Sequence, residues 1–420
     1  MKRGIVRIKP VVIGISHYRE IYGSVCSADV EGTPPIPVPK DEELEERARC
    51  LVSDFQHGLQ VDFVEIESPL VVREQADIRR LSRELTHDTD ALLLGAHGSI
   101  PLITQTLKRY GLPLLQRVPN LAFLRALRAK KLLNESRFIY VGEIPSFSAP
   151  MGPWDFAVLE GRLGVRVRHV ETNEFFRWFD RAPEKDVLET LEAWRGTFEK
   201  VVEPTDDDLL KATRVYLALR GLAEREDANG IAVNCGRLTE ERPVVPCLAF
   251  ARLIDEGIMC ACEGDITAML SSLVLHGASE EPVLMGNFGA RPGQFEARQG
   301  EVSIEHDVIL RSMATAGFTV RDYHGRKFGV TGYAPIREDE PMTLLNMGPG
   351  LRKMSVLEGT VRESEDGGHC RVIIHMTVDG DPARVSEVIV GSQHVSMAFG
   401  HWQDAIKETG QLLGMEVRHL

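Results

Sequence analysis

Four residues far apart in the chain have side chains that could share one metal ion: Glu263, Asn287, His306 and His394. A carboxylate, an amide carbonyl and imidazoles are donors suited to borderline divalent ions such as Mn²⁺, Fe²⁺, Co²⁺ or Zn²⁺. No local pair among them has the spacing of a metal motif such as HExxH. The same residues therefore also read as a capped carboxylate and ordinary surface histidines. Asp265, two residues beyond Glu263, reads both as a helix cap and as a second proton-carrying carboxylate. His97, in Gly95-Ala96-His97-Gly98-Ser99, heads a candidate helix where an anion would be favoured.

The elements that must position these groups begin with Met259-Cys260-Ala261-Cys262-Glu263, a short apolar run that predicts a buried strand stopping at Glu263. Gly264 permits a turn, and Asp265 stands where an N-cap belongs. Apolar residues then recur at Ile266, Met269, Leu270, Leu273 and Val274, a helical stripe, with Gly277 as the expected C-cap. Glu263 is thus expected at the carboxyl end of a strand, the place where wound α/β sheets bind ligands. Asn287 closes a candidate neighbouring strand, Pro282–Met285, and His394 follows the last β segment.

The wider chain alternates strand and helix twice. Val11–Ile15, Val61–Ile66 and Ala91–Ala96 are expected strands of a first α/β domain, residues 1–134. Phe138–Val141, Val165–Val170 and Gly230–Asn234 belong to a second, residues 135–288. Such alternation implies mostly parallel sheets covered by helices. From residue 289 to 420, short β segments separated by Gly-rich turns, among them Met342–Met347, Arg371–Val378 and Glu387–Val390, imply an antiparallel sheet or barrel. A last amphipathic helix carries Trp402, Ala405, Ile406, Leu412 and Leu413.

The totals exclude several classes. A chain of 420 residues exceeds one ordinary core. A composition 43% hydrophobic and 26% charged is that of a globular protein. A net charge of −13 argues against binding a nucleic-acid backbone. No stretch has the length of a membrane span, and the apolar run after the basic N-terminus is too short for a signal segment. Seven cysteines, an odd number, imply reduced thiols, with Cys260 and Cys262 as packing residues. A cytoplasmic location is expected, with neither nucleic acid nor membrane as partner.

Cys262 to Leu270, the run Pro282-Val283-Leu284-Met285-Gly286-Asn287 and Gly391-Ser392-Gln393-His394 resemble the L-fucose/L-arabinose isomerase family. So do Leu124 to Lys131 before Val141-Gly142, the segment Asp339 to Leu344, and the ending Leu412 to Val417. The resemblance implies two Rossmann-like α/β domains followed by a C-terminal antiparallel β-barrel. It also implies assembly as a homo-oligomer, a trimer or hexamer, with sites between subunits. It implies a divalent metal, most commonly Mn²⁺, held by residues matching Glu263 and His394, with His306 as an additional ligand. The family's acidic residue at the second strand end is here Asn287. Gln393 occupies a substrate-contacting position, and His17 and Arg19 are further candidates for contact with a sugar or its phosphate.

The activity implied is metal-dependent aldose–ketose isomerisation of a sugar or sugar derivative through an enediol intermediate, with carboxylates such as Glu263 and Asp265 moving protons. Asn287 has no useful pKa for that work. It motivates the alternatives of a metal-dependent lyase, epimerase or hydrolase on a polyol-like substrate, or a non-catalytic sugar-binding protein.

Overall fold

The computed structural model describes residues 3–14, 40–59, 61–73, 75–85, 88–96, 107–145, 150–289, 301–381 and 384–420. The chain forms two compact units, Met1–Lys131 and Leu132–Leu420. His17, Arg19 and His97 lie outside the described residues.

In the first unit, β1 (Val6–Ile13) is buried along almost its whole length, as a central parallel strand must be. It pairs in parallel with β2 (Val64–Ile66), β3 (Leu70–Val72) and β4 (Thr89–Ala96), and β4 pairs with β5 (Leu114–Leu115). Val11, Ile13, Leu70, Leu81 and Leu92 pack its core. Lys9, inside β1, is buried but neutralised by Glu84 at 2.9 Å.

The second unit opens on another parallel sheet. Its strands are β6 (Arg137–Val141), β7 (Arg166–Val170) and, beyond β8 (Phe198–Val201), β9 (Gly230–Val233) and β10 (Met259–Ala261). Their order is β10-β9-β6-β7. A long helix, Asp206–Glu226, is started by a capping box between Thr205 and Asp208. Two helices that the sequence reading left unassigned, Thr172–Arg181 and Glu184–Arg195, fill the interval before β8.

An antiparallel barrel completes this unit. Its strands are drawn from β11 (Leu284–Phe288), β12 (Glu301–His306), β15 (Pro341–Met347), β16 (Lys353–Asp366), β17 (Val372–Val378) and β18 (His394–Phe399), while β13 (Phe318–Arg321) and β14 (Thr331–Tyr333) join β8 in a separate sheet. The order β15-β18-β11-β12-β17-β16 closes because β16 pairs back onto β15, and β19 (Glu416–Arg418) lies parallel to β16. Closure leaves those strands no unpaired edge. The fold class expected from sequence, parallel α/β sheets followed by an antiparallel barrel, is the one observed.

Three local expectations differ. Glu387–Val390 is not a strand: Val385 and Val388, one helical turn apart, are both buried, and Val385–Val388 is helical. The helix after Asp265 runs past Gly277 to Ser279 and ends on Glu280 in the left-handed region. β11 is a barrel strand, antiparallel to β18 and β12, and not a neighbour of β10.

The helix Ile266–Ser279 is the hinge of the arrangement. It is buried all round, Thr267, Ser271 and Ser272 included, because β9 and β10 pack one side and β15 and β18 the other. Its hydroxyls have partners: Ser271 Oγ donates to Thr267 O within the helix, and Ser272 Oγ meets Ser396 Oγ of β18 at 2.9 Å. No helix among the described residues is long and apolar enough to cross a membrane.

Candidate functional site

The turn between β10 and this helix is shaped for close approach. Glu263 has φ of 56° and Gly264 of 63°, two successive residues in the left-handed region. A Cβ on Gly264 would meet Tyr140 Oη at 2.6 Å, so only glycine fits there. Glu263 takes the same conformation with a side chain, at a cost of about 1–3 kcal/mol, and strain of this size concentrates at functional sites. The turn is tied down by Gly264 N–H donating to Val233 O at 2.8 Å and by Ile266 N–H donating to Met151 O at 2.9 Å.

Asp265 is wholly buried and fully engaged. It accepts from Ala268 N at 2.8 Å, as an N-cap should, and from Thr267 Oγ1 at 2.6 Å. Its other oxygen accepts from Ser392 Oγ at 2.6 Å and meets His394 Nδ1 at 2.8 Å. That contact turns the far nitrogen of His394, Nε2, toward Glu263, 3.8 Å from Oε1. The gap is too long for a hydrogen bond.

Barrel register supplies the remaining groups. Asn287 on β11 stands opposite His394 on β18 and opposite Glu305 on β12. Directly opposed residues share a face of the sheet. Glu263, Asn287, Glu305, His306 and Gln393 all line one cavity of about 620 Å³. The rings of His306 and His394 lie 6.1 Å apart, inclined at 61°. Three buried atoms in this group, Asn287 Oδ1, His306 Nδ1 and His394 Nε2, have no hydrogen-bond partner. Each such orphan costs about 1–3 kcal/mol unless a ligand satisfies it.

These groups set one another's protonation. Burial disfavours a charged His394, but Asp265 and Glu263 outweigh it and push the imidazole up to about 9. Burial, reinforced by His394, pulls His306 down to about 4. His394 in turn holds the Glu263 carboxyl below its ordinary value, against burial, which acts in the other direction. Cys262 and Cys235 also line the cavity, with sulfurs 3.2 Å apart. Cys260 is buried without reaching it.

A glutamate on a strained turn beside a buried imidazole with a bare nitrogen is the arrangement against which relatives must be judged. The chain is similar to sulfoquinovose isomerase. The proteins of that name from Priestia aryabhattai and Priestia megaterium are each 22% identical to it over 162 residues, 36% of this chain and 34% of theirs. The match thus spans about a third of the length of these curated relatives. No family model matches the chain. Sulfoquinovose isomerase is a sugar isomerase by name, and at this distance the likeness extends no further than a relation to that class of enzyme.

The structure brings together Glu263, Asn287, His306 and Gln393 at one cavity, and sets His394 against Glu263 with Asp265 behind it. Sequence reasoning missed Glu305, visible only through the β11–β12 register, and the buried Asn346. The Asn346 amide donates to Ser392 O at 3.1 Å and to His394 O at 2.7 Å, while its oxygen accepts from Val390 N and Gly391 N. It therefore holds the loop that carries Gln393 and His394. Asn346→Ala leaves those four backbone groups without partners, and we expect about 3 kcal/mol of destabilisation in chemical denaturation. Urea curves superimposable on wild type would exclude that role.

Proposed function

We propose that the protein is a metal-dependent aldose–ketose isomerase, with Glu263, His394, His306 and Asn287 as the metal-holding set. The observation that carries this reading is the set of three buried polar atoms without hydrogen-bond partners, Asn287 Oδ1, His306 Nδ1 and His394 Nε2, the last of them 3.8 Å from Glu263 Oε1. Its donors, a carboxylate, an amide oxygen and imidazoles, suit Mn²⁺ as the first ion to test. When bound, the metal would polarise adjacent sugar oxygens and acidify the C–H beside the carbonyl.

The chain's own residues divide the remaining work. Asp265 holds a proton on His394 Nδ1, so that a bound ion would take the place of the second proton, on Nε2, that the metal-free imidazole keeps up to about pH 9; this is the carboxylate–histidine support common behind metal ligands. With both oxygens engaged at the helix cap and by Ser392, Asp265 orients and does not shuttle protons. Glu263, held deprotonated by His394, takes the substrate proton as general base. Asn287 cannot perform the second transfer, but Glu305, opposite it and on the cavity wall, carries the carboxylate that Asn287 lacks. Gln393 donates and accepts hydrogen bonds to sugar hydroxyls. The similarity to sulfoquinovose isomerase supports the sugar-isomerase class, and the particular sugar is left to a screen of aldoses.

The test is metal content and exchange chemistry together. Protein purified without chelator should carry close to one Mn²⁺-class ion per chain at this site, lost in Glu263→Gln and His394→Ala. Aldoses incubated in D₂O should gain deuterium at the carbon beside the carbonyl, and Glu305→Gln should slow that exchange about 100-fold or more. Retained Mn²⁺ in both ligand variants would sink the site. Metal without exchange on any aldose, with cleavage or inversion products instead, would move the assignment to a lyase or epimerase, the outcome that Asn287 favours.

A further inference from the structure

The same cavity carries a second donor group that the isomerase reading does not use. His324, His369 and Cys370 each place one ligand atom within 4.8 Å of the others, and all three line the cavity wall. We propose that they form a distinct binding site for a thiophilic divalent ion of the Zn²⁺ class, with its remaining coordination position open to the cavity.

The donor chemistry selects the ion. Two imidazoles and a thiolate suit a thiophilic or borderline ion such as Zn²⁺, which binds both donor types and at three-ligand sites keeps a fourth position open. Manganese and magnesium prefer oxygen donors and would be poorly served here. His369 Nδ1 and Cys370 Sγ lie 3.7 Å apart. Ordinary Zn–N and Zn–S bonds at a tetrahedral angle place such atoms ~3.6 Å apart. The pair is therefore already spaced for one ion. Coordination would release the Cys370 proton to solvent as the sulfur–metal bond forms, so binding strengthens with pH.

The supports behind the donors resemble those of an established metal site. His324 Nε2 meets Asp307 Oδ2 at 2.5 Å, which fixes the proton on that nitrogen and leaves the lone pair on Nδ1. Asp307 is itself buried, and its other oxygen accepts from Arg371 N at 3.1 Å. The His324 ring is stacked on Tyr323 at 3.8 Å and faces the His369 ring at 3.9 Å. The turn bearing His324 is held by Asp322, which accepts from Gly325 N and Lys327 N and pairs with the buried Arg371 guanidinium. The two imidazoles, inclined at only 30°, must rotate apart for both lone pairs to meet one ion, while the backbone and the carboxylates behind them stay in place.

Cobalt reports on this site directly. Titrating the full chain with Co²⁺ should produce a thiolate-to-cobalt charge-transfer band in the near ultraviolet that saturates at one thiolate-bound ion per chain. Cys370→Ser should remove the band, and His394→Ala should leave it intact, because the Glu263 set contains no sulfur. Asp307→Asn should weaken Co²⁺ at this site about 10- to 100-fold. Absence of the band in the wild-type protein at saturating Co²⁺ would overturn the proposal whatever the variants do. So would a band that survives Cys370→Ser, which would assign the sulfur to Cys235 or Cys262, or one lost in folded His394→Ala, which would merge the two sites. Failure of the isomerase reading leaves these outcomes unchanged, since none depends on turnover.

Discussion

A Glu263→Gln variant is expected to lose about a thousandfold of the proposed isomerase rate while keeping its fold. The substitution is isosteric, and the glutamine inherits the same left-handed backbone at φ of 56°, so the turn loses no contact beyond the charge. Two functions go with that charge. The amide has no pKa at which to accept a substrate proton, and it is a weaker metal donor than a carboxylate. A thousandfold corresponds to about 4 kcal/mol of transition-state stabilisation. Rate and metal content should be measured on the same preparations, with added Mn²⁺ in excess. If excess metal restores the rate, Glu263 is a ligand only and the base lies elsewhere, with Glu305 the next residue to replace. If rate stays low while metal is restored, the base assignment stands.

The metal-free protein should be most stable near pH 6.5 and lose stability on both sides. His394 has its folded pKa raised from 6.5 to about 9. A raised value means the folded state holds the proton more tightly. Its contribution is complete below 6.5 and disappears as pH rises through 9, on the order of 3 kcal/mol in all. His306 behaves in the opposite sense, because burial lowers it from 6.5 to about 4. Its contribution is complete above 6.5 and disappears as pH falls through 4, again on the order of 3 kcal/mol. Thermal unfolding of chelator-treated protein across this range tests both limbs. Asp265→Asn should flatten the alkaline limb and spare the acid one. It should also cost about 3 kcal/mol at neutral pH, because it leaves a buried imidazolium without its partner. An alkaline limb unchanged by Asp265→Asn would mean that Asp265 does not set the His394 pKa.

Read along the chain, Glu263, Gly264 and Asp265 were legible because the signals are local. A glycine where the backbone turns left-handed, a carboxylate where the first helical N–H groups need an acceptor, and an apolar stripe of helical period each act within a few residues. The structure keeps all three, with Asp265 capping through Ala268. The alternation of strands and helices and the later run of short strands likewise specified the fold class, since period and turn chemistry are properties of neighbouring residues.

Only the tertiary structure could decide what faces what. The apolar stripe on Ile266–Ser279 announced one buried face, whereas barrel closure buries the other as well. β11 reads locally as one more strand of an α/β sheet, and its pairing with β18, more than a hundred residues later, is what sets Asn287 opposite His394. The same register brings up Glu305, a residue with no local mark of function. Strand register is set by packing along a two-residue period between distant segments, and a shift of one residue would reverse every face. The partnership of Asp265 with His394, and the meeting of His324 with His369 and Cys370, are likewise contacts between segments distant in sequence and follow from no pattern within either segment.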